Sequence, residues 1–170
     1  MGRTLLLTPL FFLLLILPWM WTPSGAQAPD IAEHRTCQYC GMDRRHYAHS
    51  RMLIVYEDGT ASGACSIYCA AIDLAVHNEK TPVDILVADY DTHELVDAEK
   101  AHWVIGGNRP GVMTKRAKWA FRSKEAALAF VRTNGGVPAS FDDVIKATYL
   151  DMFSDSKMIR AKRKLRQMHQ

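Results

Sequence analysis

The stretch TCQYCGMDRRHY, Thr36 to Tyr47, places two thiols and a thioether within six residues, Cys37 to Met42. Cys40 and Met42 are two residues apart, and Gly41 between them lets the backbone fold back without a Cβ clash. A thiolate and a thioether converging on one ion form a soft donor pair. Such a pair suits Cu(I) far better than Mg²⁺ or Ca²⁺, and a thioether is a poor zinc ligand. One thiolate also cancels the single charge of Cu(I). The plain alternative is a gap-filling methionine beside a structural cysteine.

Cys65 and Cys69 complete a second pattern: Cys37-x2-Cys40-Gly, a hairpin, then Cys65-x3-Cys69 at the start of a helix. A one-turn spacing on a helix puts both thiols on one face. With the Cys37/Cys40 turn they can supply a tetrahedral Cys₄ zinc site. Two disulfides would use the same four residues in an oxidising compartment. Met113, in the loop GGNRPGVMTKR, is a candidate third soft ligand from the second half of the chain. His46 and His49 are separated by two residues and on an extended segment would point in different directions. They read as surface histidines, with one imidazole available to a copper site. His34, His77, His93, His102 and His169 show no ligand spacing, and Tyr56, Trp103, Trp119, Phe121 and Phe130 read as core. No nucleophile elbow, phosphate-binding loop, H-E-x-x-H or dinucleotide fingerprint is present. The C-x-x-C pair does not open a helix after a strand, which disfavours thiol-redox catalysis.

These side chains need elements to hold them. SRMLIVYEDG reads as a strand, TASGAC as its return, and CSIYCAAIDLAVHN as a helix that Ser66 can cap. PVDILVADYD is a further strand. The order then repeats: AHWVIGG and RAKWAF as strands, SKEAALAFVRTNGG as a helix capped by Ser123 and ended at Asn134-Gly135-Gly136, and a weak last strand. SFDDVIKATYLDMF starts another helix at Ser140 or Asp142. The expected class is α+β, with two ββαβ units followed by a basic helix. Pro29 to Thr36 reads as a polar lead-in.

The 170 residues carry a net charge of +3, which calls for no nucleic-acid partner. The N-terminus has a short positive start, an apolar run broken by Pro9 and Pro18, and an Ala26-x-Ala28 cleavage signal. It reads as a cleavable export signal. The expected organisation is a signal over 1–28, a first unit over 29–100, a second over 101–153 and a basic tail over 154–170. The tail carries Lys157, Arg160, Lys162, Arg163, Lys164 and Arg166 with no acid after Asp155. It reads as a solvated helix or as a docking segment for anionic lipid or an acidic partner.

CQYCGM, followed by a hairpin, resembles the NosL family, exported accessory proteins of nitrous oxide reductase that handle Cu(I). GVMT and KWAFRSKEAALAFVRTNGGVPASFDDV resemble the same family's second half. The resemblance implies two ββαβ units, a topology also seen in an organomercurial lyase. It implies Cu(I) bound by Cys40 and Met42 with Met113, and delivery of copper to the reductase rather than catalysis. The chain departs from the family in lacking a lipidated cysteine and in adding Cys37, Cys65 and Cys69. Those three are expected as a zinc or disulfide brace or as part of a thiolate-rich site.

Overall fold

The computed structural model describes residues 28–168. The expected export signal lies outside the described residues, apart from Ala28. Pro29–Glu33 is a five-residue helix, α1, where a plain lead-in was expected. Its proline occupies the first turn, where a missing N–H costs no hydrogen bond.

The first sheet is built on β1, Met52–Tyr56, whose residues alternate between buried and half-buried. β2 (Ala61–Ala64) and β3 (Pro82–Ala88) flank it, both antiparallel. A short strand that the sequence did not suggest, β4 (Leu95–Asp97), extends the sheet beyond β3. Between β2 and β3 runs α2, Ile67–Val76. Ser66 occupies its N-cap position, but its side chain makes no capping hydrogen bond.

The second sheet repeats the plan. β5 (His102–Ile105) lies between β6 (Lys118–Phe121) and β7 (Val137–Ala139), with α3 (Lys124–Asn134) joining β6 to β7. The Ser123 side chain caps α3 by accepting from Ala126 N, and Gly135 ends it at φ 77°. In each unit the first strand is central, the second is on one side, and the strand after the helix is on the other. The expected duplication is thus one of topology. A main-chain bond from Tyr90 N to Ala120 O and a bond from Arg122 N to the Asp89 carboxylate staple the two sheets together.

The last element, α4 (Phe141–Met168), is one helix of 28 residues. The helix expected near Ser140 and the basic tail are therefore continuous. α4 packs on α2, with Tyr149 donating to Ala71 O and Tyr68 paired with Ser156. It also clamps the loop that carries Met113. Asp155, buried, accepts from Lys115 N at 2.9 Å, and Asp151 takes a bidentate Arg116 and the Lys118 ammonium. No helix among the described residues is long and apolar enough to cross a membrane.

Candidate metal centre

The Cys37–Met42 turn is closed by two main-chain bonds, Gly41 N to Cys37 O and Cys37 N to Met42 O, each 2.9 Å. Gly41 sits at φ 76°, and a Cβ there would meet no neighbour. Its glycine is therefore required by conformation rather than by space. This turn points Cys37 and Cys40 at the start of α2, where Cys65 and Cys69 are one turn apart, as their spacing predicted.

All four Sγ atoms lie within 4.8 Å of one another. Cys40 Sγ is 3.4 Å from Cys65 Sγ, which is 3.7 Å from Cys69 Sγ. The edge of a tetrahedral zinc–thiolate site is ~3.8 Å for a Zn–S bond of ~2.3 Å. The cluster therefore fits a four-thiolate ion with little adjustment. All four cysteines are free thiols in this structure. Cys37, Cys65 and Cys69 are buried, while Cys40 is half-buried.

The four thiols are coupled by mutual hydrogen bonds. Hydrogen bonds from Cys40, then Cys65 and Cys69, drive the Cys37 thiol far below its ordinary value. At Cys40 the bond with Cys37 pushes the thiol up, but those from Cys65 and Cys69 outweigh it and the net shift is down. Cys65 and Cys69 are pushed up, chiefly by their bonds to Cys37 and Cys40. A cation entering the cluster would displace thiol protons.

Outside the cluster, Cys40 opens onto a cavity of about 230 Å³ lined also by Met42, Met113 and the C-terminal helix. A smaller cavity, about 150 Å³, is lined by Cys40, Cys69 and Met113. The structure therefore brings all six sequence-predicted residues to one place. Cys40 belongs both to the four-thiol cluster and to the thioether-lined cavity. Met113 adopts a left-handed backbone, φ 61°, which is uncommon outside glycine. A larger groove of about 790 Å³ beside α1 and β4 is lined by no sulfur atom.

Neither His46 nor His49 lines the cavity beside Cys40. His46 is exposed. His49 is half-buried among Tyr90, Trp119 and His93, and burial holds its pKa below the ordinary value.

Two supports escaped the sequence reading. Asp73 of α2, fully buried, accepts from Tyr39 of the turn, from Tyr56 of β1 and from Ser62 of β2. It ties the turn to the helix that carries Cys69. A lone acid within the apolar run IYCAAIDLAV was the signal available for it. Arg44, with 0% of its surface exposed, donates to Asp30, His34 O, Met52 O and Ala64 O. Arg51 also pairs with Asp30, at 2.8 and 3.0 Å. This triad locks α1 and the segment after the turn onto β1 and β2.

The fold and the site define an α+β protein of two ββαβ repeats built around a buried four-thiol cluster with a thioether-lined mouth. The chain belongs to the NosL family, whose model matches residues 28–149. Among solved structures it is similar to the crystal structure of the copper chaperone NosL from Shewanella denitrificans. That likeness has a TM-score of 0.53 at 23% identity, covering 71% of this chain and 95% of the other. At that identity it speaks for the fold. No curated protein matches the chain in sequence.

Proposed function

We propose that this protein is a Cu(I) carrier, with Cys40, Met42 and Met113 as the exchangeable ligands and Cys37, Cys65 and Cys69 as thiols behind them. The observation that carries this reading is the position of Cys40, a half-buried thiol with lowered pKa shared by the cluster and the cavity holding Met42 and Met113. One thiolate and two thioethers form a soft, three-coordinate set whose Cu(I) complex is neutral, and a partner's ligand can enter it before the first ones leave. Membership of the NosL family and the likeness to the copper chaperone from Shewanella denitrificans favour copper as the cargo. Delivery to nitrous oxide reductase, export to the periplasm after cleavage near Ala28, and a carrier role rather than catalysis complete the proposal. A second reading rests on the cluster's geometry alone: a structural Cys₄ zinc site bracing the turn against α2.

The test is a Cu(I) titration of reduced protein without oxygen, with a competing chelator and zinc measured throughout. Stoichiometric Cu(I) uptake, abolished in Cys40→Ala and weakened in Met42→Leu, supports the carrier. Stoichiometric zinc with no competitive Cu(I) uptake overturns it in favour of the zinc module.

A further inference from the structure

The family match ends at residue 149, yet α4 continues to Met168. Its extra turns pass directly over the mouth of the proposed copper site. Asp155 is pinned to Lys115 N, two residues from Met113, and Ser156 is pinned to Tyr68. These bonds fix the rotation of the helix just before Met158. Residues three and four positions beyond Asp155 share its face. Met158 and Ile159 accordingly line the cavity with Cys40, Met42 and Met113. One turn further, Lys162 and Arg163 line it, and then Arg166.

This orientation is not the one that burial would select. Leu165 and Met168 stay 55% and 67% exposed while the cations face the sulfur-lined mouth. Charge bookkeeping gives the cationic side a role. Cu(I) on the Cys40 thiolate is neutral and meets no repulsion from Lys162, Arg163 and Arg166. A divalent ion on the same thiolate keeps one positive charge and is repelled by all three.

We infer that the C-terminal extension completes and filters the copper site: Met158 supplies a third thioether, and Lys162, Arg163 and Arg166 discriminate against divalent ions. The inference rests on the carrier reading proposed above. It goes beyond the family-matched part of the chain, since every residue it assigns lies after position 149.

Two variants of the full chain test it against a control. Met158→Leu keeps the side chain's bulk and its helix-forming tendency, so the fold is retained, as circular dichroism would verify. Its Cu(I) affinity, measured by chelator competition at low salt, is expected to fall about tenfold to a hundredfold. X-ray absorption on the copper-loaded protein should count fewer sulfur neighbours than in the wild type. The triple change Lys162→Gln, Arg163→Gln, Arg166→Gln is expected to leave Cu(I) affinity nearly unchanged. It should lower by about tenfold the Zn²⁺ concentration that displaces half the copper. Met42→Leu separates the two proposals. If Met42→Leu weakens Cu(I) binding and Met158→Leu does not, Met158 is no ligand and that assignment is overturned. If the triple variant resists zinc as the wild type does, the filter is overturned. If wild-type protein takes up no Cu(I), or Met42→Leu has no effect, the carrier reading fails and takes the inference with it.

Discussion

Asp30→Asn is expected to be among the most damaging isosteric changes available to this chain. Asp30 is 8% exposed and is the carboxylate that faces two guanidinium groups, Arg44 at 0% and Arg51 at 2% exposed. Burial pushes its carboxyl up, but hydrogen bonds and charge from Arg51 and Arg44 outweigh this, and the net pKa lies below 3.8. The asparagine keeps the shape and loses the charge. Both cations then remain in the interior without their counter-ion, and breaking a buried pair in this way costs about 3–5 kcal/mol. A domain of this size has about 5–15 kcal/mol in total. With an m-value of roughly 1.5 kcal/mol/M in urea, the midpoint should fall by about 2–3 M. The assay is urea unfolding of reduced, metal-free protein, followed by tryptophan fluorescence. Since the carboxyl is held down in the folded state, its contribution is present above about pH 4 and disappears as pH falls through the folded value. The wild type should therefore lose stability on acidification more steeply than Asp30→Asn. Changing all three residues together to apolar ones of similar size should cost far less than Asp30→Asn alone. A midpoint shift below about 0.5 M for Asp30→Asn would refute the reasoning, because the triad would then be solvated rather than buried.

Three further outcomes are expected. Met113→Gly relieves a left-handed backbone worth about 1–2 kcal/mol, but adds the chain entropy of glycine and removes a half-buried side chain packed on the core, so thermal stability should be nearly unchanged or lowered. Cu(I) affinity measured on the same sample should fall at least about tenfold if Met113 is a ligand. Asp73→Ala strands the hydroxyls of Tyr39, Tyr56 and Ser62, each costing about 1–3 kcal/mol when unpaired, whereas Tyr39→Phe removes a single donor and should cost about 1 kcal/mol by thermal unfolding. His49 is held neutral by burial and then by His93, so its folded pKa lies below 6.5. Stability from this group is full above pH 6.5 and lost as pH falls through the folded value, and His49→Phe should flatten the pH profile there.

The strands were legible because their cause is local. MLIVY alternates and is β-branched, and the Glu57-Asp58-Gly59 turn sets its return. α3 declared both ends through Ser123 and Gly135. The cysteines were legible as a cluster because x2 and x3 spacings place thiols on one turn and one helix face whatever the rest of the chain does. The supports were not, because their cause is distant. Asp30, Arg44 and Arg51 lie in segments that look solvated, and nothing local shows that α1 folds back over β1 and β2. β4 is three residues long and follows His93-Glu94, so it has no pattern of its own and exists by pairing with β3. Taken alone, the basic tail reads as a solvated helix or as a docking segment for anionic lipid or an acidic partner. Its register against the sulfur cavity is set by Asp155 and Ser156, whose partners are 40 and 88 residues away.

Cys40 poses the remaining chemical question, because the cluster and the cavity both need it. A zinc ion held by four thiolates would engage Cys40, and a copper ion at the mouth would engage the same sulfur. If one thiolate cannot serve both, zinc loading must weaken Cu(I) binding by some factor, and copper must weaken zinc by the same factor, since the coupling is reciprocal. If Cys40 bridges the two ions, the coupling is near zero and both metals load together. The exposure pattern favours competition. Cys37, Cys65 and Cys69 are 1%, 0% and 0% exposed, so they form a wall, and of the four only Cys40 lines the cavity that holds both Met42 and Met113. A single sulfur 3.4 Å from Cys65 has little freedom to extend toward Met42 and Met113 while it completes a tetrahedron behind it. Titrating Cu(I) into metal-free and zinc-loaded protein, then zinc into metal-free and copper-loaded protein, measures both factors. Equal weakening of more than about tenfold in the two directions means that Cys40 swings between two sites. Independent, stoichiometric loading of both ions would mean that it bridges them, and the competition argument would be wrong.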